Sequence, residues 1–279
     1  MNHAAKIDRI RNLLSFDRSF LDPKQQADCQ RPGSPIELAF DDAGTSQGDA
    51  LPDLRLAGFD EAGRGALAGP VAVGCVQFNW NDICPRGGHF HDAMLENYAD
   101  LNDSKQVTVR NRQRLYMRIQ QEAQCGVGFA SAPEIDRLGI VKACSLAARR
   151  AYASLGLISV DIGLFDRGLS LGEAASDSIP RTTNITKGDA KSFHIAAASI
   201  LAKVARDAIL CSMDARVVGM YGSAEPDGIA ERYGFAEPYG FAEVYDFARH
   251  KGYGSAAHIA AIRKHGPSKF HRRTFLTRI

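Results

Sequence analysis

No run of the roughly 18 uninterrupted apolar residues that a membrane-spanning helix requires occurs anywhere in the 279 residues. The N-terminus also lacks a long apolar stretch followed by a small-residue cleavage site. Both absences lead to the expectation of a soluble, cytoplasmic protein. The six cysteines (Cys29, Cys75, Cys84, Cys125, Cys144 and Cys211) form no C-x-x-C pair and have no histidine at zinc-finger spacing. A zinc site and a disulfide framework are therefore not expected, and free thiols in a reducing compartment are. The G-K-[ST] ending of a P-loop is missing after the glycine-rich stretch at 63–69, which argues against nucleoside triphosphate binding.

Strong net charge is lacking too, but the small total of +2 is unevenly spread. Residues 249–279 hold eight Lys or Arg and no acid, leaving 26 basic against 32 acidic residues, or −6, in the rest. With His250, His258, His265 and His271 in the same segment, this is the composition of a phosphate-binding surface, although basic tails also occur as plain solvated faces.

What is present is a globular composition, 45% hydrophobic and 24% charged, suited to one domain with extensions. Residues 1–53 read as an extension: a helix carrying Ile7, Ile10, Leu13 and Leu14, then a flexible linker from Asp22 to Pro52. Residues 54–279 read as the main domain. Leu54 to Phe78 predicts a strand, a glycine-rich turn and a second strand, with the acids Asp60 and Glu61 where the first strand ends. Val109 to Ala123 predicts a helix, Gly126 to Ala130 a short strand, Ile140 to Leu155 a helix, and Ile158 to Phe165 a strand ending at Asp166. A long helix opens near Ser192, a plausible N-cap, with Ile195, Ile200, Leu201, Val204 and Ile209 on one face. The result is an α/β fold with a mixed central sheet flanked by helices. The stretch of about 212–248 reads as an inserted loop with a five-residue duplication, Tyr233 to Glu237 and Tyr239 to Glu243, too short for a repeat architecture.

Hard divalent cations want several converging oxygen ligands with positions left open for water and phosphate. An adjacent Asp-Glu pair by itself also describes a solvated surface, and strand alternation sends two neighbours to opposite sides unless the strand bends or ends. The setting is what distinguishes Asp60 and Glu61: Gly63, Arg64, Gly65, Gly69 and Pro70 put unhindered backbone N–H groups and one guanidinium beside them.

Taken together, GFDEAGRGALAGPVAVG at 58–74, LNDSK at 101–105, KGDAKSFHIAAASILAKVARD at 187–207, HKGYG at 250–254 and HGPSKFHRRTF at 265–275 resemble ribonuclease HII, in family order over about residues 54–275. The resemblance implies an RNase H-like fold with a C-terminal helical segment. It also implies hydrolysis 5′ of ribonucleotides, in RNA/DNA hybrids or singly embedded in duplex DNA, leaving 3′-hydroxyl and 5′-phosphate ends. A part in removing ribonucleotides from DNA follows from that activity.

By the same resemblance the catalytic, metal-binding acids are Asp60, Glu61, Asp189 and one acid at the end of a central strand, holding two Mg²⁺ or Mn²⁺ ions. For the fourth acid Asp166 is chosen because it closes the apolar run, and Asp161 is the alternative. Gly63, Arg64 and Gly65 are implied to read the ribonucleotide 2′-hydroxyl, and Tyr253 to lie against the following sugar. Asp103, Ser104, Lys105 and Lys187 are implied substrate-binding residues near the nucleic-acid backbone. Ser199 and Lys203, one helical turn apart, are candidates for the same role or for a structural one. His194, where the family more often has a small residue, reads as a solvated or hydrogen-bonded side chain. The expected partner is nucleic acid, acted on by a monomer, with a sliding clamp or another repair protein as a further partner. Ribonuclease HIII is disfavoured by Arg64, where that type shows lysine, and by the short N-terminal region. A non-catalytic hybrid binder is disfavoured by the presence of the acids.

Overall fold

The computed structural model describes residues 2–21, 54–84, 89–102, 104–156, 159–213, 242–277 and 279. The expected linker, most of the expected insert and Asp103 lie outside them.

Two apolar runs on either side of a glycine-rich turn, the second rich in valine, make a hairpin, β1 (Leu56–Ala62) and β2 (Val71–Phe78), antiparallel with Asp60 opposite Gly74. β3 (Ala123–Ala130) pairs antiparallel with β2, β4 (Ile162–Asp166) pairs parallel with β1, and β5 (Arg181–Ile185) pairs parallel with β4. The sheet order is β3-β2-β1-β4-β5, so β1 is central, and its Phe59 lies opposite Phe165, next to the last residue of β4. β3 begins three residues earlier than the sequence suggests, because Ala123 both ends the preceding helix and takes extended geometry at once. β4 begins later than expected: its pairing with β1 starts at Leu56 opposite Ile162, and before that Asp161 turns its carboxylate to the Arg55 N–H at 2.8 Å.

The helices are α1 (His3–Ser19), α2 (Trp80–Ile83), α3 (Asp92–Asn97), α4 (Val109–Glu122), α5 (Ala132–Leu138), α6 (Ile140–Ala153), α7 (Phe193–Ser212), α8 (Ala242–Tyr245), α9 (Phe247–His250) and α10 (Ala256–His265). Ser192 caps α7 through Ile195 N–H, as its position predicts, and Ser131 with Glu134 forms a capping box on α5.

Strand alternation divides the core. Val71, Val73 and Cys75 join Ala57 and Phe59 on the face packed by α6, while Ala72, Val76 and Phe78 face α7. α7 is buried on nearly every side, not on the single face its periodicity suggests, because α1, α4 and α9 cover its outer surface. Ile10, Leu13 and Leu14 of α1 belong to that same core cluster, so the helix of the N-terminal extension is packed into the domain.

α7 lies directly on the sheet at two glycines. A Cβ at Gly58 would stand 2.3 Å from the backbone of His194, and one at Gly74 would stand 2.4 Å from the carbonyl oxygen of Ala198. Backbone cannot swing aside as a side-chain end does. Gly74→Ala is therefore expected to cost about 2–3 kcal/mol, the scale of overpacking a core, read as a lower denaturant midpoint.

Candidate active site

β1 runs through the acidic pair to Ala62, so the acids do not end the strand as expected. Asp60 nevertheless meets both others: ligand oxygens of Asp60, Glu61 and Asp166 all lie within 4.8 Å of one another. The parallel register accounts for two of them, since Phe59 pairs with Phe165 and puts Asp60 and Asp166 side by side where the β1–β4 pairing stops. The longer Glu61 side chain supplies the third oxygen. One of its oxygens is 3.4 Å from Arg64 Nη1, and the other is buried with no hydrogen-bond partner among the described residues.

Asp166 Oδ1 accepts the Gly188 N–H at 2.8 Å, which hangs the Lys187-Gly188-Asp189 turn on the cluster. Lys187 takes left-handed backbone geometry (φ 57°) to make that turn. Asp189 stands just outside the group of three, near enough for its charge to act on Asp60. Asp161, at the opposite end of β4 with its carboxylate on Arg55, is not part of it.

Asp60 is 7 % exposed, and its pKa is pushed well above the usual carboxylate value, by burial first and then by the charges of Glu61 and Asp166. The Glu61 N–H, 2.7 Å from Asp60 Oδ1, opposes this only in part. Glu61 is also raised by burial, against the pull of Arg64. Crowded acids with an orphaned, buried carboxylate oxygen are the donor set a hard divalent cation fits, since it removes the repulsion that raises them.

The glycine-rich loop beside the acids is held from beneath by two arginines that the sequence reading did not single out. Arg206 of α7 donates to Pro70 O (2.8 Å), Ala68 O (3.1 Å) and Lys251 O (2.9 Å), and Arg272 to Gly69 O (3.0 Å) and Arg64 O (2.9 Å). The sequence signal was an arginine inside the apolar run of α7. Gly63 (φ 86°) lies over Arg206, where a Cβ would be 1.9 Å from Nε. Gly252 O accepts the N–H groups of Leu67 and Ala68, so the HKGYG and GRG segments form one continuous platform.

Tyr253, 37 % exposed, stands over this platform with Arg206 5.4 Å and Lys203 5.9 Å from its ring centre. Gly65, Lys105 and Lys187 are exposed, and Arg64 is half-buried. Lys203 is half-buried, with its ammonium 2.8 Å from Asp207. Of the two roles expected for Ser199 the structural one fits: it is 3 % exposed and its hydroxyl donates to Ala196 O, so it does not reach the surface in this arrangement. Ser104 is buried. The basic tail is also less of a surface than its composition suggests. Arg272 is buried, and His258 and His271 are buried with their Nε2 atoms 3.0 Å apart. Burial lowers both histidines to about 4, which keeps them neutral at physiological pH. Arg249, Arg263, Lys264, Lys269 and Arg273 remain exposed. His194 is fully buried against Asp17 and is hydrogen-bonded, not solvated.

A five-stranded mixed sheet flanked by helices, with acids clustered where its two central parallel strands part, defines an RNase H-like fold. The crystal structure of the ribonuclease H2 from Pyrococcus horikoshii OT3 matches it with a TM-score of 0.51 at 23% identity, over 79% of this chain and 93% of that one. The family model for Ribonuclease HII matches residues 57–226. Ribonuclease HII of Syntrophotalea carbinolica is 39% identical over 222 residues, covering 79% of this chain and 85% of the relative. That of Pseudothermotoga lettingae is 36% identical over 218 residues, covering 78% and 75%. The chain belongs to the ribonuclease HII family of RNase H-type endonucleases.

Proposed function

We propose that the chain hydrolyses the phosphodiester 5′ of ribonucleotides, both in RNA/DNA hybrids and where one ribonucleotide is embedded in duplex DNA, and so serves in removing ribonucleotides from DNA. The observation that carries this reading is the juxtaposition of three carboxylates within 4.8 Å with a loop of unhindered backbone clamped beside them.

Asp60, Glu61, Asp166 and Asp189 would hold Mg²⁺ or Mn²⁺. When bound, such ions activate a water for attack on phosphorus and stabilise the leaving 3′-oxygen, leaving 3′-hydroxyl and 5′-phosphate ends. Arg64 holds Glu61 toward its ionised form. Gly63 to Gly65 offer backbone groups to the 2′-hydroxyl, the donor and acceptor that separates ribose from deoxyribose. Tyr253 supplies a flat face for the next sugar. Lys105 and Lys187, both exposed, neutralise backbone phosphates.

A labelled duplex with a single ribonucleotide, incubated with either cation, is expected to be cut immediately 5′ of it. Asp189→Asn should slow that cut by about 10²-fold or more, beyond the range of most losses at outer-shell metal-site residues, with duplex binding retained. Full activity of this variant would remove Asp189 from the site. Poor cutting of single ribonucleotides beside efficient cutting of longer RNA stretches would point to the HIII type of specificity.

A further inference from the structure

The family match begins at residue 57, yet α1 reaches two of the segments that the proposed function depends on. In its first half, Arg9 Nη2 donates to Ala99 O (3.2 Å) and Leu101 O (2.5 Å), and Lys6 pairs with Asp100 at 2.6 Å. Asp100 is also held by Arg114 (2.7 Å) and Asn111 (3.1 Å). These residues lead directly into LNDSK.

At its other end, Asp17 Oδ2 accepts both the backbone N–H of His194 (3.0 Å) and its ring Nδ1 (2.7 Å), all fully buried. An acid from outside the helix thus caps the second residue of α7, the site most favourable to negative charge. Trp80 stacks on the His194 ring at 6.4 Å. Close by, Phe20 O accepts from Arg181 Nη2 at 2.9 Å. The end of α1 therefore grips the first residue of β5 and the second of α7, the two elements joined by the turn that carries Asp189. That turn is tied to α7 by Ser192 N–H on Gly188 O at 2.8 Å.

We propose that α1 is a positioning element of the active site, with Arg9 setting the backbone that leads into LNDSK and Asp17 setting the start of the helix behind Asp189. The proposal rests on the functional reading above. Neither residue belongs to the carboxylate cluster; each acts through the segment it holds. A helix that only filled the core would need Ile10, Leu13 and Leu14 and no buried polar grip. A buried Asp–His contact that leaves Asp17 Oδ1 and His194 Nε2 without partners among the described residues is a costly way to add stability alone.

The test uses the full chain and four variants, R9A, D17A, D17N and L13A, each held well below its melting temperature. Three quantities are read: duplex affinity in EDTA, cleavage rate at saturating duplex, and amide exchange over 187–194. R9A is expected to weaken affinity about fivefold with the saturated rate within twofold. D17A should lower the saturated rate at least tenfold at unchanged affinity and speed exchange over 187–194. D17N, which keeps an acceptor oxygen, should retain at least half the rate. L13A should lower the melting temperature and move neither affinity nor rate. If R9A and D17A behave as L13A does, α1 is packing and the proposal falls. If the wild type neither binds nor cuts the duplex, the functional reading falls, while faster exchange in D17A but not in D17N or L13A would still establish the grip on the Asp189 turn.

Discussion

Replacing Asp60 by asparagine is expected to lower cleavage by at least about 10³-fold and, at neutral pH without metal, to make the protein more stable than wild type. Metal-assisted charge stabilisation is worth several kcal/mol, and each 1.4 kcal/mol is tenfold in rate. Asparagine keeps the size of the side chain and an oxygen for the Glu61 N–H, so duplex binding should be retained. The stability gain follows from the position of Asp60: buried, with Glu61 and Asp166 within 4.8 Å, it is raised well above its ordinary pKa by burial and then by those charges. Because the folded value lies above the unfolded one, the native state binds the proton more tightly. Stability therefore falls as pH rises from about 4, the unfolded value, through the raised folded value, and stays low above it. Glu61, raised in the same direction, adds to the slope. Removing the Asp60 charge should recover about 1–2 kcal/mol near pH 7, the range of single stabilising substitutions, and flatten the pH dependence. Urea midpoints between pH 4 and pH 8 in EDTA check this. A variant that is less stable than wild type at pH 7, or that loses stability with the same slope, would contradict the reading of a repulsive, preorganised carboxylate cluster. Added Mn²⁺ should raise the midpoint of wild type and leave that of the variant nearly unmoved.

The parts of this site that were legible in the sequence are those with a local cause. The β1–β2 hairpin follows from two apolar runs, the second rich in valine, around a glycine-rich turn, the start of α7 from Ser192 as cap, and Asp166 from its place at the end of an apolar run. The convergence of Asp60, Glu61 and Asp166 was not local, because it depends on the parallel register of β1 with β4 across about 100 residues of sequence. Alternation alone would have separated Asp60 from Glu61; a longer side chain on the far face closes the gap. Ser199, His258, His271 and Arg272 look in sequence like any polar surface residue. Their burial is imposed by distant elements, α1 and α9 over α7 and the C-terminal segment over the glycine loop. For the same reason α1 read as an extension: its apolar residues were visible, but the grip of Asp17 on His194, 177 residues away, was not.

The largest loss of stability is expected from Arg206→Met, about 3–5 kcal/mol, with duplex affinity falling in parallel wherever the variant is still folded. Arg206 is fully buried among the described residues, and its hydrogen bonds run to backbone carbonyls: Pro70, Ala68 and Lys251. Methionine fills much the same space with no donor, leaving three desolvated carbonyls at about 1–3 kcal/mol each before relaxation. Burial lowers the arginine's pKa, but guanidinium remains charged in proteins, so the wild-type clamp holds a buried cation whose charge is spread over three acceptors. Lysine at this position has the charge without the planar fork and should recover only part of the loss. The loop it holds has a matching feature: Gly63, at φ 86°, leaves open the space where a Cβ would meet Nε at 1.9 Å. Gly63→Ala must therefore either strain the backbone or expel the guanidinium. If the two positions are one device, the double variant G63A/R206M will be less destabilised than the sum of its parts, because methionine can yield where the hydrogen-bonded arginine cannot. A double-mutant cycle by urea denaturation should give a coupling of at least about 1 kcal/mol, within the range for residues in contact. Simple additivity would mean that Gly63 is required for its backbone angle alone, and a loss below 1 kcal/mol for R206M would mean that the loop stands without its clamp.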